Sequence, residues 1–182
     1  MNKILTGLMI ASASFAVCST SYAASSAANA TYKTAHESAE AQYKVDKEKC
    51  NTMKGNAKDV CEKEAKLTET RTTAEAMAIR DNTAKARSKA KVDIADAEYE
   101  VAKEKCDDLA GNTKDVCVKE AKATKAAAVA NAKSNKKVAE ARHDAADTKN
   151  EANYKVAAEK CDAMAGDAKD ACIASAKTKY GQ

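Results

Sequence analysis

The stretch that decides the fold is KCDDLAGNTKDVC, residues 105–117, with Cys106 and Cys117 eleven residues apart around Gly111. Earlier the chain reads KCNTMKGNAKDVC (49–61), and later KCDAMAGDAKDAC (160–172). On one unbroken helix, residues eleven apart would be separated by about 16 Å at 1.5 Å per residue. A disulfide needs Cα atoms within about 7 Å, so a bond inside each pair requires the chain to double back. The central glycine offers the place. Gly55, Gly111 and Gly166 are expected to stop a helix, because glycine takes positive φ without steric cost. Asn56, Asn112 and Asp167 follow directly and suit an N-cap. Asp59, Asp115 and Asp170 stand three positions later, where a capping box and the helix dipole favour a carboxylate. Each copy therefore reads as a tight helix–turn–helix with a staple: Cys50–Cys61, Cys106–Cys117 and Cys161–Cys172.

The likeness extends outward. Tyr43, Tyr99 and Tyr154 precede each first cysteine by seven residues, and Val45, Val101 and Val156 by five. The tyrosine lies two turns back on the same face, in a position to pack near the disulfide. Three copies at a period of 55 to 56 residues argue for repeated structural units, covering about 39–66, 95–122 and 150–180. Between the turns the chain has helical composition throughout. Nothing from Ala57 to Ala110 forbids one helix of about 80 Å. Softer spots fall at RDNT (80–83) and NAKSNKK (131–137). The preferred expectation leaves both unbroken, giving two long antiparallel helices with shorter ones at the termini. Breaks at both spots would give three hairpins in series.

The N-terminus reads MNKILTGLMIASASFAVCSTSYAASS. Lys3, an apolar run from Ile4 to Val17 and small residues before Ala24 are the marks of a secretory signal peptide, residues 1–23. The apolar run is shorter than the roughly 20 residues a membrane-spanning helix needs, so no span is expected once the signal is removed. Bulky Val17 stands where a lipobox needs a small residue, which argues against a lipid anchor at Cys18. Removing Cys18 leaves six of the seven cysteines, all in the three pairs. An even count in an exported chain points to disulfides and to a bacterial periplasm. Residues 24–30, ASSAANA, read as a flexible lead to a helical repeat domain at 31–182.

Composition sets the limits. Alanine supplies about a quarter of the remaining chain and proline is absent, a pattern of long helices or coiled coils. Val, Ile and Leu together number only 14 after residue 23, too few to stabilise a globular domain by burial alone. After residue 23, 30 Lys and Arg balance 27 Asp and Glu, with the signs interleaved. With no Trp and the one Phe at position 15, no basic patch with stacking aromatics exists for nucleic acid. The fold class is all-α: elongated antiparallel hairpins, coiled-coil-like, stapled within each repeat.

Chemistry-bearing patterns are sparse. Redox catalysis favours Cys-x-x-Cys, and ten intervening residues do not fit it. Met53 and Met164 lie three residues after a cysteine, a soft-ligand pair suited to Cu(I), but Leu109 holds that place in the middle copy, so apolar packing is the expectation. His36 and His143 stand apart on helix surfaces. No nucleophile–base set, phosphate loop or zinc spacing is present. No catalytic residue, cofactor or metal is expected.

EKCDDLAGNTKDVC and EKCDAMAGDAKDAC, with the closing AKTKYG, resemble repeats of small exported betaproteobacterial proteins. Some of these are labelled by likeness to the Ala/Lys/Glu-rich helical stalk of the envelope protein TolA. The resemblance covers roughly residues 39–180 and implies a helical protein without an established activity. A non-catalytic structural or interaction protein of the cell envelope is the functional expectation, its partner an envelope protein or a second copy. A desiccation-type protectant, largely unfolded in dilute solution, is the alternative.

Overall fold

The computed structural model describes residues 20–182, and all five elements in it are helices. The leader expected at 1–23, with Cys18, lies almost wholly outside the described residues. In chain order the helices are α1 (Thr20–Cys50), α2 (Asn56–Asp81), α3 (Ala84–Cys106), α4 (Gly111–Cys161) and α5 (Asp167–Tyr180). The flexible lead expected at 24–30 is instead part of α1. Its alanines and serines contain no proline or glycine to break a helix that is already propagating toward Cys50.

Each helix packs antiparallel on its neighbour in sequence: α1 on α2, α2 on α3, α3 on α4, and α4 on α5. No other pair of helices touches among the described residues. The protein is thus an open row of hairpins. The corners at 51–55 and 107–110 share one end of the row, and Asn56 Nδ2 joins them by donating to the Glu104 carbonyl at 3.0 Å.

The two soft spots behave differently, and neither all-broken nor all-unbroken describes the chain. At RDNT the helix ends: Asn82 adopts φ 46°, ψ 34°, and its N–H donates to the Ala78 carbonyl. Thr83 then caps α3, its side chain accepting from the Ala86 N–H at 3.0 Å. Asparagine tolerates the left-handed region and threonine is a good N-cap, so two residues suffice for a reversal. The corresponding positions of the next copy, 21 and 22 residues after the second cysteine, are Val138 and Ala139. A β-branched residue resists positive φ and alanine cannot cap. Accordingly α4 runs on for 51 residues, about 75 Å.

The core is made of alanine and cystine. Ala39, Ala65, Ala74, Ala86, Ala90, Ala95, Ala132 and Ala176 are buried, and the largest fully buried side chains are Cys50, Cys106 and Cys161. Small side chains let helix backbones approach closely. Ser88 shows how closely: it is buried on α3, and its Oγ donates to the Ala132 carbonyl of α4 at 3.1 Å. Ion pairs between helices line the edges, with Arg71–Glu98 at 2.6 Å, Lys105–Glu64 at 2.6 Å and Lys125–Asp96 at 3.0 Å. These are exposed pairs, each worth a fraction of a kcal/mol.

Candidate functional site: the stapled corners and the open helix faces

All three expected disulfides are formed, with Cα–Cα separations of 5.6, 5.7 and 5.7 Å. The corner that brings the sulfurs together recurs almost atom for atom. The first helix ends at the cysteine, whose carbonyl accepts from the N–H three residues on: Met53, Leu109 and Met164, at 2.9 to 3.0 Å. The glycine then redirects the chain. Gly55 has φ 58°, ψ −151° and Gly166 φ 58°, ψ −146°, a region open only to glycine.

Glycine therefore does not end the first helix, as the sequence led us to expect; it introduces the second. Gly55 and Gly166 occupy the N-cap positions of α2 and α5, and Gly111 is the first residue of α4. The expected caps Asn56, Asn112 and Asp167 consequently lie inside the helices, and none of these N-termini carries a side-chain capping bond. Asn56 is used between corners instead. Asp59 and Asp170, with Asp167, stand in first turns where the dipole favours them, and Asp115 holds the matching place, four residues after Gly111 with its φ of 57°. No Cβ added at Gly111 would meet an atom within 4 Å, so an alanine there is resisted by backbone conformation alone. Gly111→Ala is expected to lower stability by about 1.5 kcal/mol, read as a shifted urea midpoint with an unchanged slope.

A second bond spans two of the corners. Lys114 Nζ reaches Asp107 at 2.8 Å, and Lys169 Nζ reaches Asp162 at 2.9 Å; the first corner has Asn51 in that place. The ammonium of Lys114, donating to the carboxylate, holds Asp107 below the usual carboxylate range. A lowered folded-state pKa means that this stabilisation is present at neutral pH and fades as pH falls through the lowered value. Asp107→Asn should therefore lose slightly less melting temperature than the parent between about pH 7 and pH 2.

The tyrosines are half-buried, and two of them lie under lysines of the facing helix: Lys66 Nζ is 5.3 Å from the Tyr43 ring, and Lys125 Nζ 5.0 Å from Tyr99. Such contacts are worth about 0.5–1 kcal/mol at exposed sites. At the other end of α1, Tyr32 stacks on His36 and is covered by Arg80 at 4.2 Å. His143 pairs with Asp147 at 2.8 Å on an exposed face of α4. Among the described residues no group of three or more His, Cys, Asp or Glu side chains is placed to hold a metal ion. No helix among them is long and apolar enough to cross a membrane.

Met53, Leu109 and Met164 depart from the expectation of apolar packing: they stand 44 %, 39 % and 48 % exposed at the corner tips. Equally informative are the three repeat valines. Val101, on α3 with a helix to either side, is 7 % exposed, whereas Val45 on α1 is 48 % and Val156 on α4 is 56 %. One residue type at one repeat position is buried only where a second neighbour exists. The outer faces of the row are surfaces that the middle of the same row covers. From Glu140 to Asn153 every residue of α4 is exposed, a single helix steadied by pairs such as Glu151–Lys155 at 2.7 Å.

Three cystines in one chain belong to an oxidising environment outside the cytoplasm. No family model matches this chain, and no curated protein or solved structure matches it either.

Proposed function

We propose that this is an exported, non-catalytic structural or interaction protein of a bacterial cell envelope, acting in the periplasm after removal of residues 1–23. The observation that carries the reading is the open row itself: a thin alanine–cystine seam, rigid corners, and helix faces whose counterparts inside the row are covered. Such a design presents long helix surfaces at fixed spacing. The resemblance to exported betaproteobacterial repeat proteins supports the same compartment.

The test is capture from periplasmic extract by oxidised and by reduced protein. A defined envelope component or a second copy, held only by the oxidised form, is the expected result. A robust activity on a small substrate, abolished by one point change, overturns the reading. The protectant alternative predicts a chain largely without helix in dilute buffer. Circular dichroism separates the two, because the structural reading requires strong helicity that weakens on reduction.

A further inference from the structure

The α2–α3 junction shows how one repeat docks on the next, and the third repeat keeps much of the docking surface without using it. In that junction Glu64, three residues after the second cysteine, pairs with Lys105, one residue before the next first cysteine, at 2.6 Å. Asn56 reaches the Glu104 carbonyl, and Ala74 is buried to 4 % exposure. The same positions one repeat later are Glu120 with Lys160, Asn112 with Glu159, and Ala130. All five are exposed. Within one chain they cannot meet, because α4 is one uninterrupted helix where α2 and α3 are joined by the Asn82–Thr83 corner.

We infer that two copies of this chain pair through α4, antiparallel and in register about Val138, so that the second half of each α4 docks on the first half of the other as α3 docks on α2. Each copy then supplies the partner that the missing corner denies it. Val138, 45 % exposed, lies at the centre of the pair, and Val156 gains the second neighbour that buries Val101. The ends are matched in charge. Residues 122–136 carry four lysines and no carboxylate, of which Lys125 is already held by Asp96 of α3 and Lys136 by Glu140, whereas 140–153 carry four carboxylates against Arg142 and Lys149. Antiparallel pairing lays one stretch against the other, twice per dimer. The match is incomplete: Lys63–Glu100 and Arg71–Glu98 correspond to Lys119 with Lys155 and Ala127 with Asn153. The pairing is accordingly weaker than the intrachain junction it copies. A covered corner in one molecule replaced by exchange between two is the logic of a domain swap.

This deepens the interaction reading by naming a partner; a strictly monomeric protein would sink it while leaving a different envelope partner open. Sedimentation velocity on the oxidised protein, over about 1 to 100 µM, gives the test. The expected result is a concentration-dependent dimer that Glu120→Lys weakens about tenfold, with Lys160→Glu added to it restoring the affinity. A second variant grafts the missing corner: Val138→Asn with Ala139→Thr should fold the third repeat back on its own chain, giving a more compact monomer of equal helicity. A parent that stays monomeric throughout overturns the inference. So does a dimer indifferent to Glu120→Lys and to the grafted corner, or one whose loss Lys160→Glu fails to rescue.

Discussion

Replacing Cys106 and Cys117 together by alanine is expected to cost about 3 kcal/mol of unfolding free energy, the amount for closing a loop of about a dozen residues. The chain-entropy account of that figure acts through the unfolded state, and packing adds to it here. Cys106 is fully buried, 0 % exposed, in a row whose other buried side chains are mostly alanine. Losing the bond also frees the corner that fixes the spacing of α3 and α4, which no other helix holds together. Urea unfolding monitored by circular dichroism at 222 nm reads the change. The parent in dithiothreitol should fall further than this variant does without it, since reduction opens all three corners at once. An unchanged midpoint in both would mean that the helices hold themselves together by some other means.

Ala132→Phe should be nearly as damaging, at about 3 kcal/mol, the upper end of overpacking costs. Ala132 is 1 % exposed on α4, and its carbonyl takes the Ser88 hydroxyl across the seam. A phenyl ring has nowhere to go unless α3 and α4 part, which breaks that bond and leaves Ser88 polar and unpaired. The same change at Ala127, exposed on α4, should be close to neutral in the monomer. Comparing the two by thermal melting separates overpacking from loss of helix propensity, which is the same for both.

Much of this architecture is written plainly in the chain. Cysteines eleven apart cannot bond along a helix, so the three reversals follow from geometry, and alanine without proline makes the rest helical. What the sequence conceals is the exact chemistry of each corner. Gly55 and Gly166 have the positive φ expected of them, but a ψ near −150° turns them from helix stops into helix starts. Residue identity alone does not distinguish those two uses, because glycine is at home in both. The Asn82–Thr83 break and the continuity through Val138 were legible in principle. Aligning the repeats on their second cysteines sets an αL-tolerant asparagine against a β-branched valine. The exposed outer faces were not legible, because Val45, Val101 and Val156 look alike until the neighbours on each side are known.

The central claim is that each repeat closes on itself at its own corner. Tryptic digestion without reduction tests it most directly, since Lys54, Lys58, Lys114 and Lys169 put cleavage sites between the paired cysteines. The account predicts three linked peptide pairs: 50–54 with 59–63, 106–114 with 115–119, and 161–169 with 170–177. Free thiols at these positions, or peptides joined from different repeats, would contradict it.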